Sequence, residues 1–203
     1  MKSFNRSIIL TLFFALPAFA GSGIQGIRNF HQIDAHVYRG GQPTLDGYKY
    51  LARIGVKTVL DLRESNALSA AEQQAVTALG MKFVNVPMSG LTPPTRAQIS
   101  QILSLLEGSS SGPVYVHCRR GADRTGAVIA AYRIDHDHWQ NARALQEAMA
   151  DHMAFFQWPR QNFIRNFQPL TLASAAVAGS GKTATTSVAA ATVPATVAAP
   201  AAQ

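Results

Sequence analysis

The chain has 203 residues, a formal net charge of +7 and a single cysteine, so no disulfide can form within it. No Lys/Arg run carries interleaved aromatic residues, which gives no support to nucleic-acid binding. All eleven acidic residues lie between Asp34 and Asp151, and the modest basic excess suits an anionic substrate or surface.

The N-terminus reads as an export signal. Lys2 and Arg6 supply a charged start, Ser7 to Leu16 a short apolar core, and Ala18-Phe19-Ala20 a small-x-small cleavage site, so residues 1–20 are expected to be removed after Ala20. The apolar stretch is short for a membrane span; an uncleaved N-terminal anchor is the other reading. No cysteine follows it that could carry a lipid. Loss of Lys2 and Arg6 lowers the charge by two, from +7 to +5. The expectation is a bacterial protein exported to the periplasm or secreted, without stable membrane insertion after cleavage. A lone thiol in an oxidising compartment is unusual as a structural feature. Catalysis would explain its presence, at the cost of ready oxidation.

Residues 21–170 alternate strand and helix signals, as expected of a single α/β domain with a central, mostly parallel sheet flanked by helices. Ile33–Arg39 reads as a strand and Gly40-Gly41-Gln42-Pro43 as a turn. Leu45–Ile54 reads as a helix closed by Gly55, and Val56–Leu60 as a β-branched strand stopping at Asp61-Leu62-Arg63. Ser69-Ala-Ala-Glu72 has capping-box spacing and opens a helix that closes at Gly80. Lys82–Val86 alternates as a strand and ends at Pro87; Thr95-Arg-Ala-Gln98 is a second capping box, for a helix through Leu106. Pro113–His117 reads as a buried strand and Ala127–Tyr132 as the opening of an apolar helix. Asn141–Met153 follows as a helix with Ala144, Leu145, Ala148 and Met149 inward. Pro159 suits the first turn of a last helix carrying Phe163, Ile164 and Phe167. Residues 171–203 are almost entirely small and β-branched residues with Pro and are expected to be a disordered tail. Within it, Gly179-Ser180-Gly181-Lys182-Thr183 resembles the end of a nucleotide-binding loop. It lacks the first glycine of that pattern and a preceding strand, and is read as chance.

The most informative run is His117-Cys118-Arg119-Arg120-Gly121-Ala122-Asp123-Arg124-Thr125-Gly126. It connects a strand to a helix N-terminus, so its backbone N–H groups can converge into an anion-binding concavity with the helix dipole behind it. The loop residues Arg119, Arg120, Gly121, Ala122, Asp123 and Arg124 would surround a phosphate, with Arg124 gripping two oxygens through its planar guanidinium. Cys118 at the base of this positive cradle should be a thiolate near neutral pH, placed for in-line attack on phosphorus. An inert buried cysteine is the plain alternative, but it leaves the clustered arginines unexplained.

This run resembles the H-C-x5-R-[ST] signature of cysteine-dependent protein tyrosine and dual-specificity phosphatases, including the flanking Gly121 and Gly126. Val37–Pro43 and Leu51–Arg63 are similar to the N-terminal half of small bacterial dual-specificity-like enzymes, so the resemblance spans roughly residues 30–165. It implies hydrolysis of phosphate monoesters through a phosphocysteine on Cys118, with no metal or cofactor. Protein phosphotyrosine is the substrate expected first. A phosphoinositide or inositol polyphosphate is the alternative, suggested by Arg119, Arg120 and Asp123. The resemblance also implies that His117 orients the loop and that the Thr125 hydroxyl stabilises the departing thiolate. No stable protein complex is implied, and a monomer is expected.

In such enzymes an Asp on the loop after the third strand usually supplies the proton for the leaving group. Here that loop, Pro87–Pro94, holds no acidic residue, and Ser89 stands where the Asp is expected. Asp123 and Asp61 remain. Asp123 sits inside the signature, at a position that carries an Asp in myotubularin-like and Sac-type lipid phosphatases and in some bacterial tyrosine phosphatases. It is favoured because an acid must first reach the proton; buttressing the loop is its other role. Asp61, ending a strand expected beside the Cys118 strand, supports the site by pairing with Arg63, Arg124 or a loop N–H group. A water, or a leaving group good enough to need no acid, is a third possibility. Arg39 and Arg63 are candidates for the pocket border. Arg119 and Arg120 suit either additional phosphates or surface acids. His31, His36, His136, His138 and His152 show no metal-ligand spacing. Two other classes share part of the pattern. A catalytically inactive phosphate reader would explain the missing loop Asp, and a sulfurtransferase also uses a loop cysteine, although Arg124-Thr125-Gly126 does not fit it.

Overall fold

The computed structural model describes residues 26–170; the leader and tail expectations lie outside them. The folded unit extends to Phe167. Its strands are β1 (His31–Gln32), β2 (Val37–Gly41), β3 (Thr58–Asp61), β4 (Lys82–Asn85) and β5 (Val114–Cys118). The helices are α1 (Leu45–Arg53), α2 (Ala67–Ala78), α3 (Arg96–Glu107), α4 (Asp123–Asp135), α5 (Asn141–Ala150) and α6 (Trp158–Asn166). The sheet order is β1-β2-β5-β3-β4; β1 is antiparallel to β2 and every other pairing is parallel. The expected single α/β domain is the observed one. β5 lies in the middle and is buried along its whole length, which is why it reads as a continuous apolar run instead of an alternating one. The parallel strands point their carboxyl ends, Gly41, Asp61, Asn85 and Cys118, toward one edge, where a ligand site belongs in such a sheet.

Several boundaries differ from the sequence reading, each for a local reason. The strand expected from Ile33 starts at Val37, because the Asp34 carboxylate accepts from the N–H groups of His36 and Val37 and turns the chain there. Gly40 and Gly41, expected in a turn, finish β2. The cap of α2 is Asn66, whose side chain accepts from Leu68 and Ser69 N–H, while Ser69 closes the box from the third helical position. The Ser69–Glu72 box is therefore not formed. The Thr95–Gln98 box is formed as expected. The signature helix begins at Asp123, four residues before the expected apolar opening, so Asp123, Arg124 and Thr125 make its first turn. α5 stops at Ala150, short of Met153, and Met149 faces outward.

Moving the α2 cap leaves Glu72 inside the protein, and it joins a buried charged cluster under β5. Its carboxylate lies 2.8 Å from His117 Nε2, accepts from the Tyr48 hydroxyl at 2.6 Å and pairs with Arg63. Arg63 also binds both Asp61 oxygens at 2.9 Å, and Gln42. One ligand atom from each of Asp61, Glu72 and His117 falls within 4.8 Å of the others, the spacing of a metal site. The Arg63 guanidinium already supplies the cation there. Burial raises the Glu72 pKa, but His117, the Tyr48 hydroxyl and Arg63 outweigh it and hold the carboxyl below its ordinary value. Burial likewise opposes charging of His117, yet Glu72 and Asp61 raise its pKa overall.

The pH dependence of stability follows. The contribution of Glu72 is present above the unfolded carboxylate pKa and lost as pH falls through its depressed folded value. That of His117 is present below the ordinary imidazole value and lost as pH rises through its raised folded value. Glu72→Gln should therefore cost on the order of 3–5 kcal/mol near neutral pH and flatten both limbs of Tm against pH. An unchanged profile in thermal melts would remove the pair as a stabilising element.

Candidate active site

β5 ends at Cys118 and α4 starts at Asp123, so only Arg119–Ala122 turn the chain between them. The turn depends on Gly121, whose φ of +74° is costly for residues with a side chain. A Cβ there would also overlap the Gly40 and Gly41 backbones, at 2.5 Å from the Gly41 nitrogen. Gly40 and Gly41 are small for the matching reason: a Cβ on Gly41 would meet the Arg120 carbonyl carbon at 3.1 Å, and one on Gly40 would overlap the Tyr115 hydroxyl and Ile27. The end of β2 thus presses directly on the signature loop.

The loop is held from behind by cations and amides. Arg39, fully buried, donates to the Gly121 carbonyl at 2.5 Å and to Asp151 at 2.6 Å. Asn29 donates at 2.9 Å to the same carbonyl and to that of Asp151. His117 Nδ1 lies 3.3 Å from the Cys118 carbonyl oxygen. In front of the loop is a cavity of about 150 Å³ lined by Gly90, Cys118, Arg119, Arg120, Asp123 and Arg124. The N-terminus of α4 has no side-chain cap, so its first N–H groups are not spent on a cap and are available to an anion.

Cys118 is almost fully buried. Burial raises its pKa, but the Thr125 hydroxyl and N–H, the Arg124 guanidinium and the Arg120 N–H together bring it below the ordinary thiol value. Thr125 Oγ1 is buried with no hydrogen-bond partner among the described residues; its effect is on the Cys118 thiol, whose pKa it lowers. Arg124 Nη1 donates to Glu64 Oε2 and to the Met88 carbonyl, both at 3.1 Å. Glu64 also accepts from Gly90 N–H at 3.0 Å, so it joins the signature arginine to the Pro87–Pro94 loop. That loop is fixed from the other side by fully buried Arg160, which donates to the Ser89 carbonyl at 2.5 Å and to Gly90 at 3.1 Å.

The two candidate acids part company. Asp123 lines the cavity; its Oδ2 pairs with Arg120 at 2.5 Å and its Oδ1 accepts from Ala154 N–H at 2.9 Å. Asp61 is fully buried behind the loop, with both oxygens on Arg63, and does not line the cavity. Arg39 and Arg63, considered for the pocket border, are both buttresses behind it. Arg119 and Arg120 are exposed at the mouth. Gly121 and Ala122 contribute backbone only, and both are buried. Sequence reasoning missed Asn29, Glu64, Glu72, Asp151 and Arg160. Only Glu72 carried a local signal, and its capping-box spacing pointed elsewhere.

Comparison with known proteins places this geometry in a family. Residues 22–166 match the family described as DSP-PTPase phosphatase fused to NAD+ kinase. Relatives include NAD kinase 2 of Arabidopsis thaliana chloroplasts, 31% identical over 100 residues, covering 47% of this chain and 10% of that protein. The dual specificity protein phosphatase TpbA of Pseudomonas aeruginosa is 29% identical over 123 residues, covering 59% and 52%. Inositol diphosphatase DSP5 of Arabidopsis thaliana is 26% identical over 155 residues, covering 71% and 72%. The chain thus spans about a tenth of the plant NAD kinase and about half of TpbA. The crystal structure of P. aeruginosa TpbA shares the fold, with a TM-score of 0.62 over 76% of this chain and 98% of that one at 21% identity. With its Cys118 loop, uncapped helix terminus and parallel sheet, the chain belongs to the DSP-PTPase family of cysteine-dependent phosphatases.

Proposed function

We propose that the protein hydrolyses phosphate monoesters through a phosphocysteine, with protein phosphotyrosine as substrate. The observation that carries the reading is the Cys118 thiol, its pKa drawn down, on a cavity shared with Arg124 and Asp123. In the first step the Cys118 thiolate attacks phosphorus and the bond to the leaving oxygen breaks. Arg124 and the loop N–H groups take the charge on the equatorial oxygens, and Asp123 gives its proton to the leaving phenoxide. In the second step water attacks the phosphocysteine, Asp123 takes the proton back, and the thiolate departs to the Thr125 hydroxyl. Asp123 is assigned this role over Asp61 because it alone of the two faces the cavity. No step calls for a metal. The leader reading adds that this chemistry takes place after export.

A second reading, an inositol polyphosphate, is favoured by the exposed Arg119 and Arg120 at the mouth and by the relative named an inositol diphosphatase. Phosphate release from a phosphotyrosine peptide and an inositol polyphosphate, assayed side by side with chelator and reductant, decides between them. Cys118→Ser should abolish release from either. Binding without release would make the chain a phosphate reader.

Two kinetic outcomes test the residue roles. The acidic limb of kcat/KM against pH should reflect the thiolate. With the Cys118 pKa drawn below the ordinary thiol value, activity should persist below that value and fall as the thiolate is protonated. Thr125→Val should move that limb to higher pH. Asp123→Asn should slow phenyl phosphate by about 10²–10⁴-fold, the usual worth of a general acid, but slow an aryl phosphate with an activated leaving group far less. Equal losses on both would take the acid role from Asp123.

A further inference from the structure

Of the seven large apolar side chains exposed among the described residues, four lie in the segments next to the phosphate cavity. Leu91, Phe155, Phe156 and Trp158 are 80%, 73%, 58% and 60% exposed. They come from two segments distant in sequence: Leu91 from the loop after β4, and Phe155, Phe156 and Trp158 from the turn that leads into the first residue of α6. Leu91 follows Gly90, which lines the cavity. Phe155 follows Ala154, whose N–H is bonded to the cavity-facing Asp123. Arg160 ties the two loops together: it grows from α6, two residues after Trp158, and donates to the Ser89 and Gly90 carbonyls. Gln161 adds a bond back to the Phe155 carbonyl at 2.9 Å, and Phe155 packs edge-on against Phe156. The backbone around these residues is therefore held by partly buried polar bonds, while their side chains are left in water. Exposed apolar surface of this kind marks an interaction site.

We propose that Leu91, Phe155, Phe156 and Trp158 form the specificity rim of the active site, and that it seats large apolar residues flanking the phosphotyrosine of a protein substrate. The inference rests on the phosphatase reading above. The rim adjoins the phosphate cavity, so whatever occupies both must carry apolar surface within a few residues of its phosphate. An inositol polyphosphate has none. An anionic bilayer has both, but pressed over this end of the sheet it would meet two exposed carboxylates. Asp46, at the start of α1, is 77% exposed and paired with the exposed Lys49; Glu64, after β3, is 61% exposed and would have to share its partner Arg124 with the bound phosphate. An extended peptide needs only the flank beside the cavity and can leave those carboxylates in water. The exposed Arg119 and Arg120 at the mouth favour a segment that is acidic elsewhere.

The test uses the full chain and two phosphotyrosine peptides that differ only at the flanking positions, one with Leu and Phe, the other with Ser. Wild type should prefer the apolar peptide, mainly through KM. Trp158→Ala combined with Phe155→Ala should cut kcat/KM on the apolar peptide by about tenfold, as for loss of one or two aromatic anchors, and so erase the preference. Equal kcat/KM on the two peptides in wild type, or a preference that survives in the double variant, would overturn the rim. Co-sedimentation with anionic lipid vesicles that the double variant loses would also overturn it, by making the surface a membrane contact. Hydrolysis of inositol polyphosphate with neither peptide touched would instead refute the phosphotyrosine reading beneath it.

Discussion

A cysteine buried in the protein, with its pKa nonetheless drawn down, is the constraint around which the molecule is organised. Taking Cys118 out of water disfavours its charged form, and the nucleophile needs that form. The offset comes from groups brought in by a single stretch of chain, the Thr125 hydroxyl and N–H, the Arg124 guanidinium and the Arg120 N–H. For these to converge, the strand must end and the helix begin within four residues. That demands the positive φ at Gly121 and the bare glycine backbone of β2 pressed against it.

The charges around this loop divide by position. Behind it, Arg39 and Arg63 are buried and matched to Asp151, Asp61 and Glu72; their charges are consumed in holding the backbone. In front, Arg119 and Arg120 are exposed, and Arg124 holds only the well-solvated Glu64 and a carbonyl. A bound phosphate can compete for a guanidinium whose partner is solvated far more easily than for one whose partner is buried, because a buried charge stripped of its counter-ion has no water to turn to. The same division separates the two acids. Asp61 is locked to Arg63, whereas Asp123 lines the cavity, where a ligand can reach it.

The Pro87–Pro94 loop carries no carboxylate and is fastened on two sides. Arg160 and Glu64 pin the Ser89–Gly90 segment, which forms a wall of the cavity through Gly90. The carboxylate that lines the cavity comes from the signature itself: Asp123, oriented by the Ala154 N–H and Arg120.

What could be read in the sequence was what local physics fixes. Cys118, Asp123, Arg124 and Thr125 lie within eight positions of one another, so one strand-to-helix turn brings them together whatever the rest of the chain does. The α/β pattern and the Thr95–Gln98 cap are local in the same sense. Asn66 against Ser69 as the α2 cap was a choice between two local options, decided by a shift of three residues, and that shift carried Glu72 from a helix surface into the core. The contacts that hold and tune the site are of another kind. Arg39 reaches Gly121 across 82 positions, Arg124 reaches Glu64 across 60, and Arg160 reaches Gly90 and Ser89 across 70 and 71. Nothing in the composition of one segment specifies a partner so far along the chain. The sequence alone determined the cysteine, the arginine-lined loop around it and the layered fold, because each rests on neighbouring residues. Only the tertiary structure decided which carboxylate faces the cavity, which arginines are consumed behind it and where the apolar rim stands, because burial and pairing of charge are set by packing.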